Sequence, residues 1–121
     1  MATKIPVQEA AEKLVSHTIE ITSNARNFPQ KYRYTLVDRL IRITMDIHDF
    51  ICDANNAHTS NDRIKLIENA ISSCRKVKFY IKLTYEKLRP KCSTGYWNGI
   101  VEDVEKQLGN WRTDTKKRTN N

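Results

Sequence analysis

Apolar residues recur every three or four positions along four stretches of this chain, and three polar or proline-bearing breaks separate the stretches. A helix turns about 100° per residue, so this spacing gathers apolar side chains on one face, whereas a strand requires alternation. Val7, Ala10, Ala11, Leu14, Val15, Thr18 and Thr22 define the first stripe and predict a helix from Pro6 to Asn24. Pro6 falls in the first turn, where its missing N–H leaves no bond unmade. The stretch SNARNFPQ then breaks the pattern, because the residue before Pro29 is pushed away from helical angles. Leu36, Val37, Leu40, Ile43, Thr44, Ile47, Phe50 and Ile51 predict a second helix from about Tyr32 to Ala54.

The polar stretch DANNAHTSND follows, with Thr59, Ser60 and Asn61 as candidate N-caps for a third and longest helix. Its stripe runs through Ile64, Ile67, Ala70, Ile71, Cys74, Val77, Ile81, Tyr85 and Leu88, and Pro90 stops it. Ser93 and Thr94 can cap a fourth helix carrying Trp97, Ile100, Val101, Val104, Leu108 and Trp111. The closing residues TDTKKRTNN have no apolar side chain to offset their ordering entropy, so residues 113–121 are predicted to be a disordered basic tail. A chain of 121 residues with 39% hydrophobic content suits one domain, here residues 1–112. Four amphipathic helices with short connections predict an all-α fold, an antiparallel up-down-up-down four-helix bundle.

The chain carries 21 Lys and Arg against 14 Asp and Glu, a net charge of +7 that favours RNA, DNA or an anionic protein surface as partner. The segment RKVKFYIKLTYEKLRPK, Arg75 to Lys91, sets seven basic residues against the single acid Glu86. On a helix, Val77, Ile81, Cys74, Tyr85 and Leu88 share one arc, and Arg75, Lys78, Lys82 and Arg89 share its neighbour. Cations aligned on a rod can each displace a counterion from a phosphate backbone, although the same strip also reads as a solvated face. Secondary candidates are Arg26, Lys31 and Arg33, where Lys31 and Arg33 alternate with Tyr32 and Tyr34, and the tail cations Lys116, Lys117 and Arg118. Tyr32 and Tyr34 could equally plug the bundle end, and Tyr85, Trp97 and Trp111 have the spacing of core or interface residues. Phe79 and Leu83 point away from the core arc and mark a candidate oligomer interface, unless Lys stems cover them.

Chemistry-bearing patterns are sparse. His17, His48 and His58 fall on different segments and form no HxxxH or HExxH pair, so no metal is expected. Cys52, Cys74 and Cys92 match neither a disulfide framework nor a CxxC motif, and Cys74 reads as a core residue. Gly95, Gly99 and Gly109 stand apart rather than in a phosphate-cradling loop and read as sites of close helix approach. No GxSxG is present to organise a nucleophile. These patterns predict a non-enzyme without cofactor; the first residues lack a signal-peptide core and no stretch is long enough to span a bilayer, which predicts a cytoplasmic protein with no membrane contact.

The block FPQKYRYTLVDRLIR, Phe28 to Arg42, the long basic helix and YWNGIVEDVEKQLGNW, Tyr96 to Trp111 with Gly109 and Trp111 near its end, resemble one four-helix-bundle family. That family comprises the proteins encoded in 23S ribosomal RNA intervening sequences and the accessory variability determinants of diversity-generating retroelements. The resemblance spans most of the chain and implies a homopentameric, basic ring of bundles. In the retroelement branch it implies binding of nucleic acid and association with a reverse transcriptase. In the ribosomal branch the gene lies within an insert of the ribosomal RNA gene, and the basic strip fits both.

Two functions therefore stand side by side. One is a nucleic-acid-binding accessory scaffold, with Arg75, Lys78, Lys82 and Arg89 on phosphates. The other is a protein-interaction module whose positive surface docks on an acidic partner.

Overall fold

The computed structural model describes residues 3–120, with side chains placed up to Thr119. Four long helices account for most of it: α1 (Pro6–Thr22), α2 (Asp38–Asn55), α3 (Ser60–Leu88) and α4 (Thr94–Asn120). No strand occurs among the described residues, so the all-α expectation holds. α1 packs on α2 and α4, and α3 packs on the same two helices, so each helix has two principal neighbours around one shared core.

The ends of the helices follow local chemistry. Pro6 opens α1, and at its far end the Thr22 hydroxyl donates to the Thr18 carbonyl at 2.7 Å. Asn24 then folds the chain back: its side-chain carbonyl accepts from Arg26 N–H at 3.0 Å, and its backbone carbonyl accepts from Phe28 N–H at 2.9 Å, which seats Phe28 in the core. Thr59 caps α3 by accepting the Asp62 N–H at 3.1 Å, as its position in the sequence suggests. The Arg63 guanidinium reaches back to the Ala54 and Asn55 carbonyls at 3.0 and 3.4 Å, so the end of α2 is satisfied by the start of α3. α3 ends where Arg89 turns left-handed at φ 47° and Pro90 blocks a further turn. Ser93 opens α4 by accepting the Tyr96 N–H at 3.0 Å.

Two boundaries differ from the sequence reading. The chain becomes helical directly after Pro29, but as a 3₁₀ turn (Gln30–Tyr32) and a π-helical turn (Arg33–Val37) rather than as regular α-helix. The Asp38 N–H bonds to the Arg33 carbonyl five residues back, widening the coil while burying Val37 and leaving Tyr34 84% exposed. An aromatic plug at this end is therefore not formed by Tyr34. The second difference is at the other terminus, where α4 continues through residues 113–120 in place of the expected structureless tail. Thr115 is buried and its hydroxyl donates to the Trp111 carbonyl at 2.8 Å, while Lys117 and Arg118 sit in the last turn, where cations complement the carbonyl end of the helix. Asn121, the last residue of that expected tail, lies outside the described residues.

The core collects Leu14 from α1, Leu40, Ile47 and Ile51 from α2, Ile67 and Val77 from α3, and Trp97, Val101, Val104 and Leu108 from α4, all fully buried. Each large side chain of this kind contributes about 1.5–3 kcal/mol on leaving water. Trp97 also donates its indole N–H to the Thr18 hydroxyl at 3.0 Å and meets Phe28 edge-on at 6.4 Å, tying α1, the loop after it and α4 together. No buried side-chain polar atom lacks a partner among the described residues. Among them, too, no helix is long and apolar enough to cross a membrane. A Cβ at Gly99 or Gly109 would meet nothing within 4 Å, so these glycines do not mark close helix approach.

Candidate nucleic-acid interface

The second half of α3 carries the basic strip, and α4 decides how much of its charge is free. Glu105 of α4, itself largely covered, holds Lys78 at 2.6 Å and Arg75 at 3.4 Å. Two of the four strip cations are thereby engaged by one carboxylate, a partner 30 positions from Arg75 that helical periodicity within α3 could not reveal. Lys82 is exposed and makes no ion pair among the described residues. Lys78, Ile81, Lys82, Tyr85, Thr94, Gly95 and Asn98 line a groove of about 410 Å³ between α3 and the start of α4.

Of the two places expected for Tyr85, core or interface, the core is excluded within one chain: half of it is exposed, and the Arg89 guanidinium lies 5.0 Å over its ring. The left-handed turn at Arg89 ends the helix and leaves that side chain stacked on Tyr85, four residues back, rather than projecting along the strip. The groove thus combines an aromatic face, two lysines and the first turn of α4, whose amide dipoles favour negative charge; Arg89 is not in its lining and adjoins it only through its stack on Tyr85. An unpaired base can stack on the ring face opposite Arg89 while its phosphates meet Lys82 and, beyond the groove, Arg89. Thr94, Gly95 and Asn98 were missed by sequence reasoning, since only the packing of α4 against α3 brings them to the strip.

The remaining candidate cations divide between the two ends of α3. Arg26 is exposed in the turn after α1, and Lys91 N–H donates to the Asn27 side chain at 3.1 Å, so this turn adjoins the chain just beyond Arg89. Lys31 lies 5.2 Å over the Tyr32 ring, and Arg33 is part-buried in the π-helical turn. Lys116, Lys117 and Arg118 are exposed at the end of α4, whose neighbouring residues Arg112 and Trp111 meet Glu68 and Arg63 near the start of α3. From Glu68 to Arg89 is about 30 Å of helix, so these tail cations cannot share one short phosphate run with Arg89. Phe79 is exposed and tilted against Tyr80 at 5.6 Å, and Leu83 is part-buried in a second groove between α3 and α2.

The other reactive side chains cluster at the α1/α2 contact. His48 lies 3.3 Å from Asp49, 3.8 Å from Glu12 and 3.6 Å from the Cys52 sulfur. Burial, with Asp49, Asp53 and Glu12 nearby, pushes the Cys52 thiol above its ordinary pKa, the opposite of what an attacking thiolate needs. Burial drives Cys74 up to about 12, as befits a core thiol. Among the described residues no group of three or more His, Cys, Asp or Glu is placed to hold a metal ion.

Comparison with known proteins finds no matching family model, no matching curated protein and no matching solved structure.

Proposed function

We propose that this chain is a non-catalytic, basic nucleic-acid-binding accessory scaffold acting in the cytoplasm, resembling the retroelement accessory proteins that partner a reverse transcriptase. In this reading its helices form an antiparallel up-down-up-down bundle, and bundles assemble into a homopentameric ring. The observation that carries the proposal is the pair Lys82 and Tyr85 beside the first turn of α4, with Arg89 stacked on Tyr85, where an aromatic ring and positive charge without an ion-pair partner among the described residues converge. Such a site binds through phosphates and base faces rather than base edges, so it has little sequence preference and accepts single-stranded RNA or DNA.

Fluorescence anisotropy with a labelled single-stranded RNA at several salt concentrations tests it. Affinity is expected to fall steeply with salt. In the variant R75Q/K78Q/K82Q/R89Q the slope of log affinity against log salt should become shallower by about 0.7 for each phosphate of the single strand that is no longer neutralised. Lys82→Gln with Arg89→Gln alone should reproduce most of that change, because Glu105 already engages the other two. A folded quadruple variant with unchanged affinity and slope would overturn the proposal, and would leave docking on an acidic protein as the function of the positive surface.

A further inference from the structure

Two apolar grooves lie on different sides of the bundle, and their rims carry opposite charge. The groove between α2 and α3, about 530 Å³, has walls of Leu36, Tyr80, Leu83 and Leu88, and its charged lining residues are Arg39 and Lys87 with no carboxylate. Neither cation forms an ion pair among the described residues; Arg39 donates to the Tyr80 hydroxyl at 3.2 Å. Phe79 stands beside this groove, 58% exposed. The groove between α1 and α2, about 490 Å³, has Val15, Ile19 and Met45 as its apolar residues and Glu12 and Asp49 as its charged ones. No Lys or Arg lines it, but Lys4 holds Glu12 from outside the groove at 2.6 Å, so Asp49, beside His48, is the carboxylate without a Lys or Arg partner among the described residues. Ile19 and Met45 are 41% and 42% exposed. α2 contributes to both, with Arg39 on one side and Met45 and Asp49 on the other, and the π-helical turn before it adds Leu36 to the first.

We propose that copies of this chain join head to tail, with the acid-rimmed α1/α2 groove of one copy covering the cation-rimmed α2/α3 groove of the next. The inference rests on the oligomeric reading above and specifies its two faces. Charge decides the partner and the symmetry together. A two-fold contact through either groove would set that groove against its own copy, placing like charges opposite each other around a desolvated apolar centre. A contact between the two different grooves sets Arg39 and Lys87 against the exposed Asp49, and against Glu12 in competition with Lys4, and buries Phe79, Ile19 and Met45 at once. Head-to-tail contacts on different sides of one bundle turn each copy relative to the last, which is the arrangement a closed ring needs, and they leave the α3/α4 groove open for nucleic acid.

Complementation between two blocked variants tests the pairing. F79S/K87S removes the anchor and a cation from one face, and I19S/M45S removes the anchors from the other; all four positions are exposed, so helicity should be retained, as circular dichroism would show. Light scattering on the wild-type chain should give a multiple of the 14.1 kDa chain mass. Each variant alone should give the single-chain mass, because every contact needs both faces, whereas their equimolar mixture should give twice that mass and stop there. A wild-type monomer would overturn the oligomeric reading and this inference together. An oligomeric wild type with I19S/M45S still oligomeric, or two monomeric variants that form no heterodimer, would overturn the head-to-tail pairing alone.

Discussion

The two grooves that flank the second half of α3 share a helix and differ in chemistry. On the α4 side the walls hold Lys78, Lys82, Tyr85 and the start of α4; on the α2 side they hold Leu36, Tyr80, Leu83 and Leu88, with cations at the rim. The first groove suits a ligand bound largely by charge, whose affinity falls with salt. The second suits a ligand bound largely by apolar contact, which sulfate and similar salts strengthen. One amphipathic helix with apolar residues outside its core stripe can therefore serve two partners on two faces without either competing for the other's residues.

The largest effect should come from removing what both grooves stand on. Trp97→Ala deletes the indole that bonds Thr18 and packs on Phe28, and is expected to cost about 3–5 kcal/mol in a chemical denaturation experiment, with nucleic-acid binding and self-association weakened together. Loss of one activity without the other would show that the two faces do not share this support.

A smaller effect separates the grooves. Glu105→Gln releases Lys78 and Arg75 from their shared carboxylate and should raise affinity for single-stranded RNA several-fold, while the mass read by light scattering stays that of the wild type. The cost to stability should come mainly from the partly covered Lys78 pair at 2.6 Å and be about 1–2 kcal/mol, since Arg75 is largely exposed and the replacing glutamine can still accept a hydrogen bond from Lys78. Weaker binding on titration would instead mean that Glu105 holds the two cations in their binding positions.

How far the sequence reaches is clearest along α3 itself. Its start at Thr59, its stop before Pro90 and its buried stripe through Ile67, Ala70, Ile71, Cys74, Val77 and Ile81 all follow from local rules of capping and period, and the structure has them. Tyr85 fits the same period yet stands half exposed, because the buried stripe runs on from Ile81 through Thr84 to Leu88 and turns Tyr85 to the edge, where Arg89 lies over its ring. Glu105 was invisible as a partner for the strip, since the register between α3 and α4 is set by side-chain packing over the whole contact. The end of α4 was misjudged for a related reason: Thr115 counts as polar in a composition, but in a helix its hydroxyl bonds the preceding turn and its methyl can be buried. The extra residue taken up by the π-helical turn at Arg33–Val37 has no local signal beyond Pro29, and it is this turn that leaves Tyr34 in solvent.

Tyr34 and Tyr85 give the most direct test of which face meets nucleic acid. Both are exposed aromatics beside cations, Tyr34 next to Arg33 at the entrance to α2 and Tyr85 under Arg89 at the α3/α4 groove. Ultraviolet cross-linking of a bound single-stranded RNA, with the modified residues mapped by mass spectrometry, distinguishes them without altering the protein. Adducts concentrated on Tyr85 and the first turn of α4, and abolished at high salt, are the expected result; adducts concentrated on Tyr34 or on Lys116, Lys117 and Arg118, with Tyr85 unmodified, would contradict the assignment of the α3/α4 groove.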